Sequence, residues 1–216
     1  MSTPLSSTPR TTLRRLPQRA VGERTELHAL LDEALVVHVG FVDQGQPFVI
    51  PTLLARRGEQ VYLHGSARSR LIEVLAGGAP CCLTVTALDG LVLARSAFHH
   101  SVNYRSAVIL GRGREVEGQE KLAALEALVE RVSAGRWAEV RPPNPTELLA
   151  TRVLAVSLDE ASLKVRSGPA KDDEEDYELA CWAGVLPLRM AAGEPQPDER
   201  LRPGTRVPPG LAAWAR

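Results

Sequence analysis

Gln60-Val61-Tyr62-Leu63-His64-Gly65-Ser66-Ala67-Arg68-Ser69-Arg70-Leu71-Ile72-Glu73-Val74-Leu75-Ala76 passes from one kind of structure to another within a few residues. Gln60 to His64 has the alternation of a half-buried strand, and Gly65 ends it. Arg68 to Ala76 carries Leu71, Ile72, Val74 and Leu75 in a helix-like cluster, stopped by Gly77-Gly78. At the joint lie two arginines and two serines, with no acid between Gln60 and Ile72. Backbone N–H groups at a helix start are unpaired and carry partial positive charge, which favours an anion. Arginines in a first turn oppose the helix dipole by about 0.3–1 kcal/mol each, so a bound phosphate would account for them. The spacing also admits a plainer reading, in which these are solvated polar residues at the start of a short helix.

Working upstream, Leu27, Leu30 and Leu31 mark a helix over Thr25 to Glu33, and Leu35 to Val42 turns β-branched and aromatic. Gln44-Gly45-Gln46-Pro47 and Arg57-Gly58-Glu59 read as turns on either side of a strand from Phe48 to Ala55. Such short turns imply antiparallel hairpins. Downstream, Cys81 to Ala87 and Leu91 to Arg95 read as strand pieces and Val102 to Val116 as a long strand. Gln119 to Val132 is the clearest amphipathic helix, with Leu122, Leu125, Leu128, Val129 and Val132 on one stripe. Thr151 to Leu158 returns as a strand. Six or so strands with few helices predict a mainly β fold, a closed or half-closed antiparallel barrel.

The 216 residues, 44% hydrophobic, are enough for one domain with a real core. The expected organisation is an extended arm over 1–22, a barrel domain over 23–167 and a C-terminal arm over 168–216. Arg10, Arg14, Arg15 and Arg19 give the first arm a one-sided charge; an organellar transit peptide is the alternative there, but its prolines break a targeting helix. In the last arm, five acids between Lys171 and Tyr177 and a Pro/Arg-rich stretch from Pro195 to Pro209 cannot bury enough apolar surface to stand alone. Cys181 to Leu186 is the exception, expected to clip this arm onto the barrel or a neighbouring subunit.

A formal charge of zero gives no global pull toward nucleic acid or anionic membrane, and no stretch reaches the length of a membrane span. The expectation is a cytoplasmic protein with neither as partner. Three cysteines make a poor disulfide framework; Cys82 and Cys181 read as small buried hydrophobes. His99-His100, taken as strand neighbours, point to opposite faces, and no further ligand completes a set, so no metal is assigned. His28 and His38 show no partner in sequence.

Gly45 to Pro51, Tyr62 to Arg70 and Asn103-Tyr104-Arg105-Ser106 through Gly111, in that order and spacing, resemble the pyridoxamine 5′-phosphate oxidase-like, FMN-binding split-barrel superfamily. The branch they are most similar to includes the nitroimidazole resistance proteins, and the similarity runs from about Thr12 to Leu188. The resemblance implies a six-stranded antiparallel split barrel and a homodimer with two FMN sites at its interface. By position, Pro51 and Thr52 would meet the isoalloxazine edge, and His64, Gly65 and Ser66 the ribityl chain. Arg68, Ser69 and Arg70 would hold the phosphate. Tyr104, Arg105 and Ser106 would face the pyrimidine side, while Lys164, Arg166 and Trp182 would reach the partner's flavin. Among these, His64 is the candidate for chemistry because it titrates near neutrality.

Two departures bear on activity. The vitamin-producing oxidases use an arginine and histidine in a C-terminal signature, and no histidine follows His100 here. The acidic and proline-rich tail of this chain also lies beyond the part that resembles those oxidases. The sequence therefore leaves two classes open: an FMN-dependent oxidoreductase acting on a small planar substrate, or a flavin-binding module without turnover. Deazaflavin or haem in the same fold is a third.

Overall fold

Two antiparallel sheets, packed face to face, carry the fold in the computed structural model, which describes residues 4–5 and 8–215. The larger holds β1 (Ala20–Val21), β2 (Val36–Asp43), β3 (Gln46–Leu53), β6 (Pro80–Leu93), β7 (Ser101–Arg112), β10 (Ala161–Arg166) and β11 (Gly184–Pro187). Its main path runs β1-β10-β7-β6-β2-β3, with β11 on the far half of β6. The smaller sheet runs β4-β5-β9-β8, made of β4 (Ala55–Arg57), β5 (Gln60–Ser66), β8 (Arg114–Val116) and β9 (Thr151–Ser157). Among the described residues neither sheet closes on itself, so the barrel is split.

The chain changes sheet at two points that read as continuous strands in sequence. The run from Phe48 to Ala55 breaks at Leu54, whose N–H turns to the carbonyl of Leu35 at 3.2 Å. The run from Val102 to Val116 breaks at Gly113, where an added Cβ would sit 3.2 Å from Leu75 Cβ and 3.3 Å from its carbonyl oxygen. Only a residue without a side chain lets the backbone pass that close. Conversely, Cys81–Ala87 and Leu91–Arg95 belong to the single strand β6. An irregularity between Leu88 and Gly90 shifts its burial phase from Cys81, Leu83 and Val85 to Gly90 and Val92, which makes one strand look like two.

Alternating inward residues build the core: Val37, Val39 and Phe41 from β2, Leu83 and Val85 from β6, Ala107 and Ile109 from β7, Leu154 and Val156 from β9. The helices α1 (Arg24–Glu33) and α2 (Arg70–Ala76) add Leu27, Leu30, Leu31, Leu71, Ile72 and Leu75. Behind the small sheet, α3 (Gly118–Val132) packs Ala124 and Leu125 on Tyr62, Val116, Val153 and Ala155 as a second cluster. Two short helices follow, α4 (Arg136–Glu139) and α5 (Pro145–Ala150), the latter begun by a capping box between Asn144 and Glu147.

Both arms lie on the sheets. Leu5 N–H bonds the Gly22 carbonyl, Thr8 and Arg10 donate to Glu160, and β1 pairs with β10. At the other end β11 pairs Gly184–Pro187 with Leu93–Gly90, and Asp172 accepts the Arg95 N–H and guanidinium at 2.9 and 3.1 Å. The chain then runs exposed to a 3-10 turn over Pro209–Ala215, where the Trp214 indole N–H donates to the Val132 carbonyl at the end of α3. No helix of the described residues is long and apolar enough to cross a membrane.

Candidate functional site

The basic corner sits where β5 hands over to α2. Ser69 N–H donates to the Ser66 carbonyl at 2.9 Å, Arg68 N–H to Ser66 Oγ at 3.3 Å, and Ala67 N–H to the Ala150 carbonyl at 3.0 Å. These bonds make a tight turn, so the helix begins at Arg70 rather than at Arg68. Gly65 permits the turn: a Cβ there would lie 2.9 Å from Ile72 Cγ1. Arg70 is drawn toward the β2–β3 hairpin, its guanidinium carbon 4.5 Å from the centre of the Phe48 ring and its Nε 3.5 Å from Asp43. Arg68 is exposed, with no ion pair among the described residues, and the Ser69 side chain makes no capping bond. Donors at this corner are thus available to an outside anion.

On the α3 side of β5 lies a cavity of ≈ 590 Å³. Leu125, Leu128, Val129 and Val132 wall it from α3; Leu53 adds a strand residue and Trp137, Val140 and Leu148 come from the segment through α4 and α5. The stripe on α3 thus runs from the second cluster to the cavity wall: Leu128 is buried, yet Val132 at its end is 48% exposed. His64 reaches the same cavity, because alternation along β5 sends Leu63 to the main core and His64 toward α3. Its Nδ1 is buried and has no hydrogen-bond partner among the described residues. Burial lowers the His64 pKa below the ordinary histidine value, which favours the uncharged ring. Of the residues expected to bind cofactor, His64 alone lines this cavity.

The remaining expected residues lie on the large sheet, except Trp182, which precedes β11. Register places Tyr104 beside Arg166 and Ser106 beside Lys164, on the outward face of β7 and β10. Ser106 Oγ meets Thr86 Oγ1 at 3.2 Å, Lys164 Nζ donates to the Arg15 carbonyl at 3.4 Å, and Arg166 donates to Asn103 Oδ1. Arg105 lies on the opposite face. It donates to Glu33 at 2.5 and 2.9 Å and to Asp89 at 2.8 Å, and these acids raise its pKa above the ordinary arginine value. Pro51 and Thr52 point to opposite sides of β3, the edge strand of this sheet, where a proline's missing N–H does no harm. Trp182 is 68% exposed, its ring close against Gly184.

Three minor expectations are corrected. Cys181 is exposed and Cys82 half-buried, while it is Cys81 that is buried, its thiol pushed up to about 11. His99 and His100 sit in and after a 3-10 turn rather than on a strand, where His99 faces Asp173 at 3.4 Å. His28 Nε2 lies 3.1 Å from a Glu59 carboxylate oxygen, a neighbour distant in sequence, without hydrogen-bond geometry.

A family model for pyridoxamine 5′-phosphate oxidase matches residues 23–165, which take in the smaller sheet, the larger sheet apart from β1, β11 and the end of β10, the basic corner and α3. The chain belongs to this family. Within it, the chain is similar to the flavocytochrome Anf3 from Azotobacter vinelandii, at 40% identity over 98% of this chain and 99% of that one, with a TM-score of 0.90. It is also similar to an FAD and haem binding protein from Mycobacterium smegmatis, at 37% identity over 91% and 97% of the two chains, TM-score 0.87. A putative 5-nitroimidazole antibiotic resistance protein from Bacteroides thetaiotaomicron shares the split-barrel fold at 21% identity, TM-score 0.57, over 68% and 86%. No curated protein matches the chain. The family's split barrel thus carries, in this member, a helical cavity behind the small sheet that the sequence motifs do not announce.

Proposed function

We propose that this chain is a flavin- and haem-binding oxidoreductase, with the phosphate end of a flavin nucleotide on the Ser66–Arg70 corner and an iron porphyrin in the cavity behind β5. The observation that carries the proposal is His64: an imidazole with a buried, unpartnered Nδ1 and a pKa lowered by burial, on the wall of a cavity lined mainly by leucine, valine and tryptophan. Neutral imidazole is the form that ligates metal, and buried polar atoms without partners call for an explanation. The names of the two relatives at 40% and 37% identity support the pairing of cofactors.

The chain's residues fit both groups. Arg68, Arg70 and Ser69 would hold the phosphates, Arg70 being kept in place by Phe48 and Asp43. Because the second relative is named for FAD, FAD is the nucleotide proposed; FMN, which the sequence resemblance implied, would use the same corner. His64 would ligate the iron, and Leu125, Leu128, Val129 and Val132 would cover the macrocycle and exclude water. When bound, the flavin exchanges hydride or single electrons and the haem single electrons, which suits conversion between a two-electron donor and a one-electron or oxygen acceptor. Since β5 carries both His64 and the corner, one rigid strand would fix the two groups relative to each other. A small planar oxidant is the substrate class proposed.

The same reading takes a homodimer. The outward face of the large sheet exposes Val36, Val49 and Leu88 at 47%, 66% and 55% around the Tyr104 and Ser106 strip, an apolar surface suited to a second copy. The test of the cofactor reading is the visible spectrum of the purified, cofactor-supplied chain, followed by mass identification of what it releases. A flavin nucleotide together with haem is expected; deazaflavin alone, or no chromophore, would overturn it.

A further inference from the structure

The polar residues of the cavity wall come from two places. His64 and Thr151 belong to the strands, while Arg136, Arg141 and Glu147, the last paired with Arg141, belong to α4, the connection after it and α5. Both arginine side chains reach solvent, at 44% and 67% exposure, so this end is the mouth. A ligand that matches this order has a metal or acidic group at one end, a broad apolar body, and anionic groups at the other. Resting on the haem reading above, we infer that Arg136 and Arg141 form a carboxylate clamp that selects a tetrapyrrole by its acid side chains.

Both guanidiniums now have glutamate partners. Arg136 donates to Glu139 at 2.9 Å, and Arg141 donates to Glu147 at 2.8 and 2.5 Å and to the Pro142 carbonyl at 3.1 Å. Exposed ion pairs of this kind contribute little, so exchanging a glutamate for a ligand carboxylate is close to neutral in itself. The balance then tips toward a ligand already held by its apolar body, since the second contact is intramolecular. Glu147 also accepts the Asn144 N–H at 2.9 Å, which anchors it to the start of α5 and leaves it a place when Arg141 turns inward. Arginine suits the task because its planar fork meets a carboxylate with two parallel bonds.

The test uses the full chain and three probes: haemin, its dimethyl ester, and iron-free protoporphyrin IX. The wild type should prefer haemin to the ester by about tenfold, the worth of a charge-assisted bond at a partly exposed site. R136Q/R141Q should erase that preference while leaving the histidine-ligated spectrum and the melting temperature unchanged, and R136K/R141K should restore part of it. Protoporphyrin IX, which cannot use His64, should still lose affinity in R136Q/R141Q. Equal affinity of the wild type for haemin and its ester, with a spectrum that depends on His64, would overturn the clamp and leave the haem reading standing. Haemin binding indifferent to H64A would overturn the haem reading and the clamp with it.

Discussion

The two sides of the Gln60–Ser66 strand and its turn meet opposite environments, and the contrast separates two kinds of binding. At the turn, Arg68 and Arg70 stand at the surface with weak or no internal partners, so a ligand gains charge-assisted bonds against competition from water. On the α3 face, His64 opens on a cavity walled by leucine and valine, so a ligand gains mainly from removing apolar surface from water. The corner should therefore recognise a charged end with little regard for what is attached, and the cavity a shape. Binding at the corner should weaken with salt more steeply than binding in the cavity, where only the contacts at the mouth are charged.

The contrast breaks most sharply at His64. His64→Ala should abolish the histidine-ligated haem spectrum while leaving flavin bound, as followed by absorption titration with each cofactor; loss of both together would mean that one site serves both. Next in size, Leu128→Ala removes a buried leucine from the cavity wall and should cost about 2–3 kcal/mol in denaturant unfolding, near the low end for core leucines because part of its surroundings is already empty. Gly65→Ala tests the joint between the two regions. With Ile72 Cγ1 at 2.9 Å from the new Cβ, α2 must shift, and about 1–3 kcal/mol of stability and part of the nucleotide affinity should go together. Arg70→Ala should weaken FAD or FMN by about 1–2 kcal/mol in calorimetry and riboflavin hardly at all, because the lost partner is a charge at a half-exposed site; equal losses would place the phosphate elsewhere.

The smallest effect is on pH. Burial lowers the folded His64 pKa, so the unfolded chain binds more protons as the medium acidifies through the ordinary histidine range. Stability should therefore fall with decreasing pH from about 6.5, and His64→Gln should flatten that part of the unfolding profile. A wild-type profile already flat there would mean that His64 is solvated in the fold.

The fold was legible where pattern and packing agree. Leu27, Leu30 and Leu31 announced α1, and Val37, Val39 and Phe41 announced β2, because each repeats at the period of its element. It was illegible where a continuous pattern crosses between sheets at Leu54 and Gly113, since alternation does not record which neighbour a strand takes. The strand β10 went unread because Ala161 to Arg166 has charged residues on its outward face and only three buried or half-buried apolar ones, Ala161, Leu163 and Val165, on the other. The cluster of Arg68, Ser69 and Arg70 stands out in sequence because its charge comes without acids. The cavity does not, although its signal is present: the α3 stripe reaches Val132, farther than a helix needs to cover the short β8 and its neighbours. Arg105 shows the opposite failure, since Glu33 and Asp89, which hold it, are distant in sequence.

The most direct test is a crystal structure of the full chain grown with haemin and FAD. The account predicts iron on a nitrogen of His64, with the macrocycle between α3 and the α4–α5 segment, and nucleotide phosphate against Arg68 and Arg70. A structure in which side chains fill the cavity and His64 turns from it, with haem bound elsewhere, would contradict it.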